Sequence, residues 1–268
     1  MKKILIVGGT GFLGGYLLEY LSRSFKVDFT SRSSKFDFSY AIPSSKHLDF
    51  LNNHSYDFII DNINPIALNE AEILSHQRAM KDGCAISGAK LIQISSISAL
   101  PENRGLNEYN SKKAYAEQLV TETFDAGDYC ILRFPGLFDK EGKARKSQGG
   151  LYYFLDQVKA NKEINLVENH QKCHRNFLPI EIATHMVKTV IDSKLTGVFN
   201  AHIDSFTIGL KDLLDLIVSL NSEYDQDNIK IGKSLGAEYY IGKSSNELIS
   251  KIKFRPLDFY LNQAFSHI

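Results

Sequence analysis

The sequence is short of cysteine and of any surplus charge, and it holds no long apolar run. Only Cys84, Cys130 and Cys173 occur in 268 residues, with no CxxC pair and no even framework. This argues against a disulfide-stapled fold, and the thiols read as reduced ones in a cytosolic compartment. Lys plus Arg equals Asp plus Glu at 31 each, so no global field recommends nucleic acid or an acidic membrane as partner. No apolar stretch approaches the length of a membrane span. Met1-Lys2-Lys3 imitates the start of a signal peptide, but the apolar run after it ends at Gly8 and no cleavage site follows. The expectation is a cytoplasmic protein without nucleic-acid or membrane partners. Internal repeats and low-complexity tracts are absent. With 43% hydrophobic residues, the chain can bury one large core, or one core with a smaller lobe.

What is present begins at once. Ile4-Leu5-Ile6-Val7 runs into Gly8-Gly9-Thr10-Gly11-Phe12-Leu13-Gly14, and an amphipathic stretch follows. This reads as a buried strand, a tight turn and a helix start. Unpaired N–H groups and the positive end of the helix dipole make such a turn a pyrophosphate site. The three spaced glycines, Gly8, Gly11 and Gly14, serve the turn, the approach of a cofactor and the close packing of helix on strand.

Strand-like runs at residues 4–7, 26–30, 58–61, 91–95 and 129–133, and a very short one at 46–48, alternate with helical patterns at 13–24, 67–87 and 109–125. Such alternation predicts an α/β fold, a Rossmann-type doubly wound parallel sheet whose ligands bind at the carboxyl ends of the strands. The second half is less regular. Residues 139–150 read as a polar loop or lid, 151–159, 180–191 and 210–220 as helices, and 163–167 and 197–201 as strands. The expected division is a dinucleotide-binding domain over residues 1–138, with a return strand near 196–202. Residues 139–195 and 203–268 would form a smaller C-terminal substrate lobe.

Two further features carry chemistry. Tyr109 and Lys113 stand four apart on a predicted helix and so share a face. An ammonium beside the phenol would favour phenolate and lower the tyrosine's pKa, allowing proton exchange with a carbonyl or alcohol oxygen. Ser95-Ser96 closes the strand before that helix, where a hydroxyl can bond the same substrate oxygen.

Together these residues resemble the extended branch of the short-chain dehydrogenase/reductase superfamily, which contains nucleotide-sugar epimerases, dehydratases and reductases. Residues 8–14 match its cofactor turn, Ile94-Ser95-Ser96-Ile97-Ser98 its serine strand, and Tyr109 with Lys113 its catalytic pair. Leu132-Arg133-Phe134-Pro135-Gly136 looks like the segment bordering the nicotinamide. The resemblance spans the chain, strongly to Arg133 and loosely beyond. It implies Tyr109 as acid/base, Ser96 orienting the substrate oxygen, and Lys113 holding the ribose hydroxyls while tuning Tyr109. It places Gly8, Thr10, Gly11, Phe12, Leu13, Gly14 and Pro135 around the cofactor. Homodimers through the Tyr109 helix and its neighbour are common in the resembled family.

The second strand of an NAD binder normally ends in an acidic residue. Here that place falls on Ser31, with Arg32 next, a pair that would welcome a 2′-phosphate. The expected cofactor is NADP, with NAD as the alternative. Asp28 lies inside the strand and should point away from the ribose, and Asp49 resembles the family's adenine contact. Dehydratases of the branch carry an Asp-Glu pair where this chain has Ile97-Ser98, so elimination of water is not expected. A keto-sugar reductase and a C4 epimerase remain, the first favoured. A reductase of small aldehydes or ketones and a nonenzymatic dinucleotide sensor are further alternatives. Arg175 stands where related enzymes place an arginine on the substrate diphosphate. His170, Cys173 and His174 fit no standard zinc spacing, so no metal is expected.

Overall fold

A computed structural model of the chain describes residues 1–31, 55–146 and 149–267. Arg32, Asp49 and the expected strand at 46–48 lie outside the described residues. The first five strands are β1 (Lys3–Val7), β2 (Lys26–Thr30), β3 (Phe58–Asp61), β4 (Lys90–Ser96) and β5 (Tyr129–Phe134). Then come β6 (Gly136–Phe138), β7 (Ile164–Leu166), β8 (His174–Pro179), β9 (Gly197–Asn200), β10 (Thr207–Gly209) and β11 (Ile229–Ile231). The helices are α1 (Phe12–Leu21), α2 (Glu70–Ser87), α3 (Glu108–Thr123), α4 (Gly149–Lys159), α5 (Ile180–Ser193), α6 (Leu210–Val218), α7 (Asn246–Ile249) and α8 (Leu257–His267).

Six strands pair into one all-parallel sheet in the order β2-β1-β3-β4-β5-β9. Period-two alternation divides its side chains between two covered faces. Ile4, Ile6, Ile60, Ile92 and Leu132 join the core that contains Leu17 of α1 and Val187 of α5. Leu5, Val7, Ile59, Leu91 and Ile131 point the other way, into the layer with Met80 and Cys84 of α2 and Val120 of α3. The expected doubly wound sheet is therefore present. The chain reverses direction across β1, with β2 on one side and β3 on the other, and that switch point is where open α/β sheets hold ligands.

Local chemistry sets the helix ends. Asn69 caps α2 by accepting from the Glu72 N–H at 2.9 Å, while the Glu72 carboxylate accepts from the Asn69 N–H at 2.8 Å. This capping box starts the helix at Glu70. The helix was expected from residue 67, but Pro65–Ala67 is a separate 3-10 turn. The Asn107 side chain accepts from the Asn110 N–H at 2.9 Å and opens α3.

Past Pro135 the chain leaves the large sheet. Strands β6, β8 and β10 make a small sheet, with β6 parallel and β10 antiparallel to β8. β7 and β11 form a parallel pair. β8 lies where no strand was expected, between the strand at 163–167 and the helix at 180–191. Its buried Asn176 is accommodated because the side-chain amide donates to the Ile203 carbonyl at 2.7 Å and to Thr207 Oγ1 at 2.9 Å. Residues 139–146 are organised by Asp139, whose carboxylate accepts from the Tyr16 hydroxyl and from the N–H groups of Lys143 and Ala144. α5 returns across α1, where Tyr20 and His185 stack with ring centroids 5.0 Å apart.

The Gly8–Gly14 approach is a steric requirement. A Cβ on Gly14 would lie 2.3 Å from the Gly8 carbonyl oxygen, which is backbone and cannot swing aside. Gly14→Ala is expected to lower stability by about 1–3 kcal/mol. Urea unfolding measures it, and an unchanged midpoint would contradict the close packing of α1 on the turn.

Candidate active site

The turn after β1 is held by backbone bonds. Gly8 adopts φ +84°, and its carbonyl accepts from the Gly11 N–H at 3.1 Å. The Gly9 N–H reaches the Thr30 carbonyl of β2 at 3.0 Å. Gly11 stands at the N-cap of α1 and contributes no side-chain cap, so the first N–H groups of the helix are left for another acceptor. Thr10, Gly11, Phe12 and Gly15 line an open groove of about 440 Å³ above them, while Leu13 and Gly14 are buried below. An uncapped helix start under a groove is a fit for a dinucleotide's diphosphate.

At the end of β2, the hydroxyls of Ser31 and Thr10 bond each other at 2.8 Å. Asp28 is engaged elsewhere, with Lys3 Nζ at 3.1 Å and the Tyr56 hydroxyl donating to it at 2.9 Å.

The alternation of β4 separates its two terminal serines. Ser95 turns inward and donates to Glu117 Oε1 at 2.5 Å. Ser96 turns to the other face and lines a cavity of about 450 Å³ together with Tyr109, Pro135, Arg175 and Tyr239. Burial pushes the Tyr109 phenol above its ordinary pKa, Tyr239 adds to the rise, and a hydrogen bond from Ser96 opposes it. The expected lowering by Lys113 does not occur. The Lys113 ammonium is buried on the strand side of α3 and donates to the carbonyls of Ile94 at 3.0 Å and Ile63 at 3.4 Å. Burial pulls its pKa down to about 8, against the nearby carboxylates of Asp61 and Glu117.

Four residues around Lys113 escaped the sequence reading. Glu117, one turn further along α3, takes a forked bond from Arg133 of β5 at 2.6–3.0 Å. Asp61 at the end of β3 faces His76 of α2, with Oδ1 and Nε2 3.0 Å apart and both side chains buried. Each charge holds the other, so the Asp61 carboxyl is lowered and the His76 imidazolium raised despite burial. The i+4 step from Lys113 to Glu117 was visible in sequence. The Asp61–His76 contact had no local signal.

The far wall of the cavity comes from β8 and from residues 239–241. The Arg175 guanidinium donates to the carbonyls of His174 at 2.8 Å and Ala237 at 3.0 Å and lies 4.9 Å from the Tyr239 ring centroid. Asn103 fixes the neighbouring backbone from the large-sheet side. Its amide oxygen accepts from the Tyr240 N–H at 2.8 Å and its amide nitrogen donates to the Tyr240 carbonyl at 2.6 Å. Arg175 also borders a second, largely apolar cavity of about 300 Å³ lined by Leu151, Phe154, Leu166, Phe177 and Leu213. His170, Cys173 and His174 are not gathered into a ligand set. The His170 ring lies against the Val167 carbonyl, and Cys173 is buried while His174 is exposed.

No protein-family model matches the sequence, and no curated protein matches it. Solved structures do. A UDP-N-acetylglucosamine 4-epimerase from Bacillus cereus superposes with TM-score 0.74 at 19% identity, covering 99% of each chain. A dTDP-glucose 4,6-dehydratase from Bacillus anthracis, in complex with NAD, gives 0.78 at 12%, covering 100% of this chain and 96% of the other. ADP-L-glycero-D-manno-heptose-6-epimerase from Helicobacter pylori gives 0.75 at 17%, covering 99% and 97%. The chain shares the fold of these solved structures. Among the described residues no helix is long and apolar enough to cross a membrane.

The Asp61–His76 pair has a pH signature. The imidazole is raised above its ordinary 6.5, so its contribution to stability is complete below that value and is lost as pH climbs through the raised one. The carboxyl is lowered below 3.8, so its contribution holds above that value and is lost only in stronger acid. Urea unfolding of wild type and His76→Gln is expected to differ most between about pH 5 and 6.5 and less as pH climbs through the raised value. A pH-independent difference would contradict the charged pair.

Proposed function

We propose that this chain is a nicotinamide dinucleotide-dependent oxidoreductase that reduces a keto group on a nucleotide-linked sugar. The observation that carries the reading is the common cavity. Ser96 and Tyr109 stand on one wall and Arg175 on the other, beside the segment Pro135-Gly136. When bound, the dinucleotide supplies the hydride. Ser96 orients the carbonyl oxygen. The Tyr109 phenol, kept protonated at neutral pH by burial, donates the proton to that oxygen. The resemblance gives Lys113 the ribose hydroxyls, whereas its ammonium here donates to the Ile94 and Ile63 carbonyls and does not line the larger cavity.

Arg175 lies between the two cavities. With two of its donors on backbone carbonyls, its remaining N–H groups suit a diphosphate. The sugar then occupies the larger space and the nucleoside the apolar one. Elimination of water is not supported, because among the described residues lining the larger cavity there is no Asp or Glu to act as its base.

NADP is the proposed cofactor. The described end of β2 offers Thr30 and Ser31 rather than a carboxylate, and Asp28 is bound to Lys3 and Tyr56. The names of the solved structures favour a second reading, a 4-epimerase retaining NAD.

Steady oxidation of NADPH by nucleotide-linked keto-sugars, and not by neutral ketones or aldehydes, is expected. Release of stoichiometric NAD from the denatured protein, with sugar interconversion and no NADPH consumption, would establish the epimerase instead. Turnover of neutral carbonyls alone would indicate a small-carbonyl reductase, and dinucleotide binding without turnover a sensor. Tyr109→Phe is expected to reduce kcat by about 10²–10⁴-fold with the dinucleotide Kd nearly unchanged. Equal loss of binding would remove the acid role. Arg175→Ala is expected to raise KM for a nucleotide-linked substrate by tenfold or more, about 1.4 kcal/mol, and an unchanged KM would detach the diphosphate from this residue.

A further inference from the structure

Asp61 and His76 take no part in the chemistry assigned above, yet they lie directly behind it. Asp61 ends β3 at 3% exposure, and His76 enters from α2 at 4%. Gln77 adds a bond from its Nε2 to Asp61 Oδ2 at 3.2 Å, and the Ile63 N–H donates to Oδ1 at 3.2 Å. The carboxylate is therefore fixed from three sides. Lys113 and this pair line the same enclosed cavity of about 10 Å³. That is space for one water molecule and for nothing the size of a cofactor or sugar.

The groups facing Lys113 can be counted element by element. β3 presents Asp61, and α2 presents His76 and the neutral Gln77. β4 presents the Ile94 carbonyl with neutral Gln93 and Ser95. The lysine's own helix carries Tyr109 and Glu117. β5 carries Arg133, whose permanent charge occupies Glu117 through a fork. An ammonium taken out of water and left on two carbonyls tends to lose its proton. The opposing anion with no guanidinium on it is Asp61, whose cation is the titratable imidazole of His76.

We propose that Asp61, fixed by His76 and Gln77, is the positioning residue that keeps the Lys113 ammonium charged behind the reactive tyrosine. The inference rests on the reading of Lys113 as a site residue, but it makes a claim about the lysine that needs neither substrate nor dinucleotide. Removing the carboxylate leaves the buried ammonium with carbonyl dipoles and an anion already committed to Arg133.

The test is the titration of Lys113 itself, followed by NMR in full-length protein carrying ¹³Cε-labelled lysine. The resonance is assigned by its loss in Lys113→Arg. In Asp61→Asn the midpoint is expected to fall by about one pH unit or more. Asp61→Asn leaves an unpaired imidazolium and can destabilise the chain, so Asp61→Asn/His76→Gln, which removes both charges, is measured beside it and is expected to shift the same way. An unmoved midpoint in either folded variant overturns the inference. If the protein reduces keto-sugars, the alkaline limb of its kcat profile is expected to move to lower pH in the same variants. A shifted lysine in a protein that turns nothing over would leave this inference standing and remove the functional reading. An active enzyme with an unshifted lysine would do the reverse.

Discussion

A buried ammonium organises the carboxyl edge of the large sheet. Lys113 lies buried, with its charge against the carboxyl ends of β3 and β4, and an isolated charge in that position would be strongly unfavourable. The neighbouring structure answers that cost. Two strand-end carbonyls accept from the ammonium, and carboxylates stand on either side of it. Each of those is in turn held by a cation from another element, His76 from α2 and Arg133 from β5. A single charge on one helix thus ties together two helices and three strands, and partial removal of such a network leaves the remainder unpaired.

Much of the scaffold was legible because it rests on local pattern. β1, β3, β4 and β5 contain short apolar runs, and their alternate residues divide between two packed layers. The glycine spacing at 8, 11 and 14 corresponds to a turn where a side chain on Gly14 would meet backbone. Ser96 was singled out by resemblance and not by pattern; in the structure it faces the cavity while Ser95 faces Glu117.

What was not legible depends on burial and on distant pairing. The spacing of Tyr109 and Lys113 is plain in the sequence, but their electrostatic relation is not. The phenol responds to burial and the lysine is drawn to the strand carbonyls. Asp61 and His76 are ordinary residues until β3 and α2 are laid side by side. β8 was hidden because a buried asparagine reads as loop until its amide finds the Ile203 carbonyl and the Thr207 hydroxyl. The start of α2 was placed three residues early, at 67, whereas the reciprocal bonds of Asn69 and Glu72 set it at Glu70.

The Asn103 contact has a consequence for how this protein could diversify. One carboxamide grips both the N–H and the carbonyl of Tyr240, so the path of the adjoining peptide is secured without reference to the side chains at 239 and 241. Those two positions border the cavity. New residues there can reshape the opening presented to a ligand while the main chain beneath them keeps its course, so selectivity can evolve without rebuilding the frame.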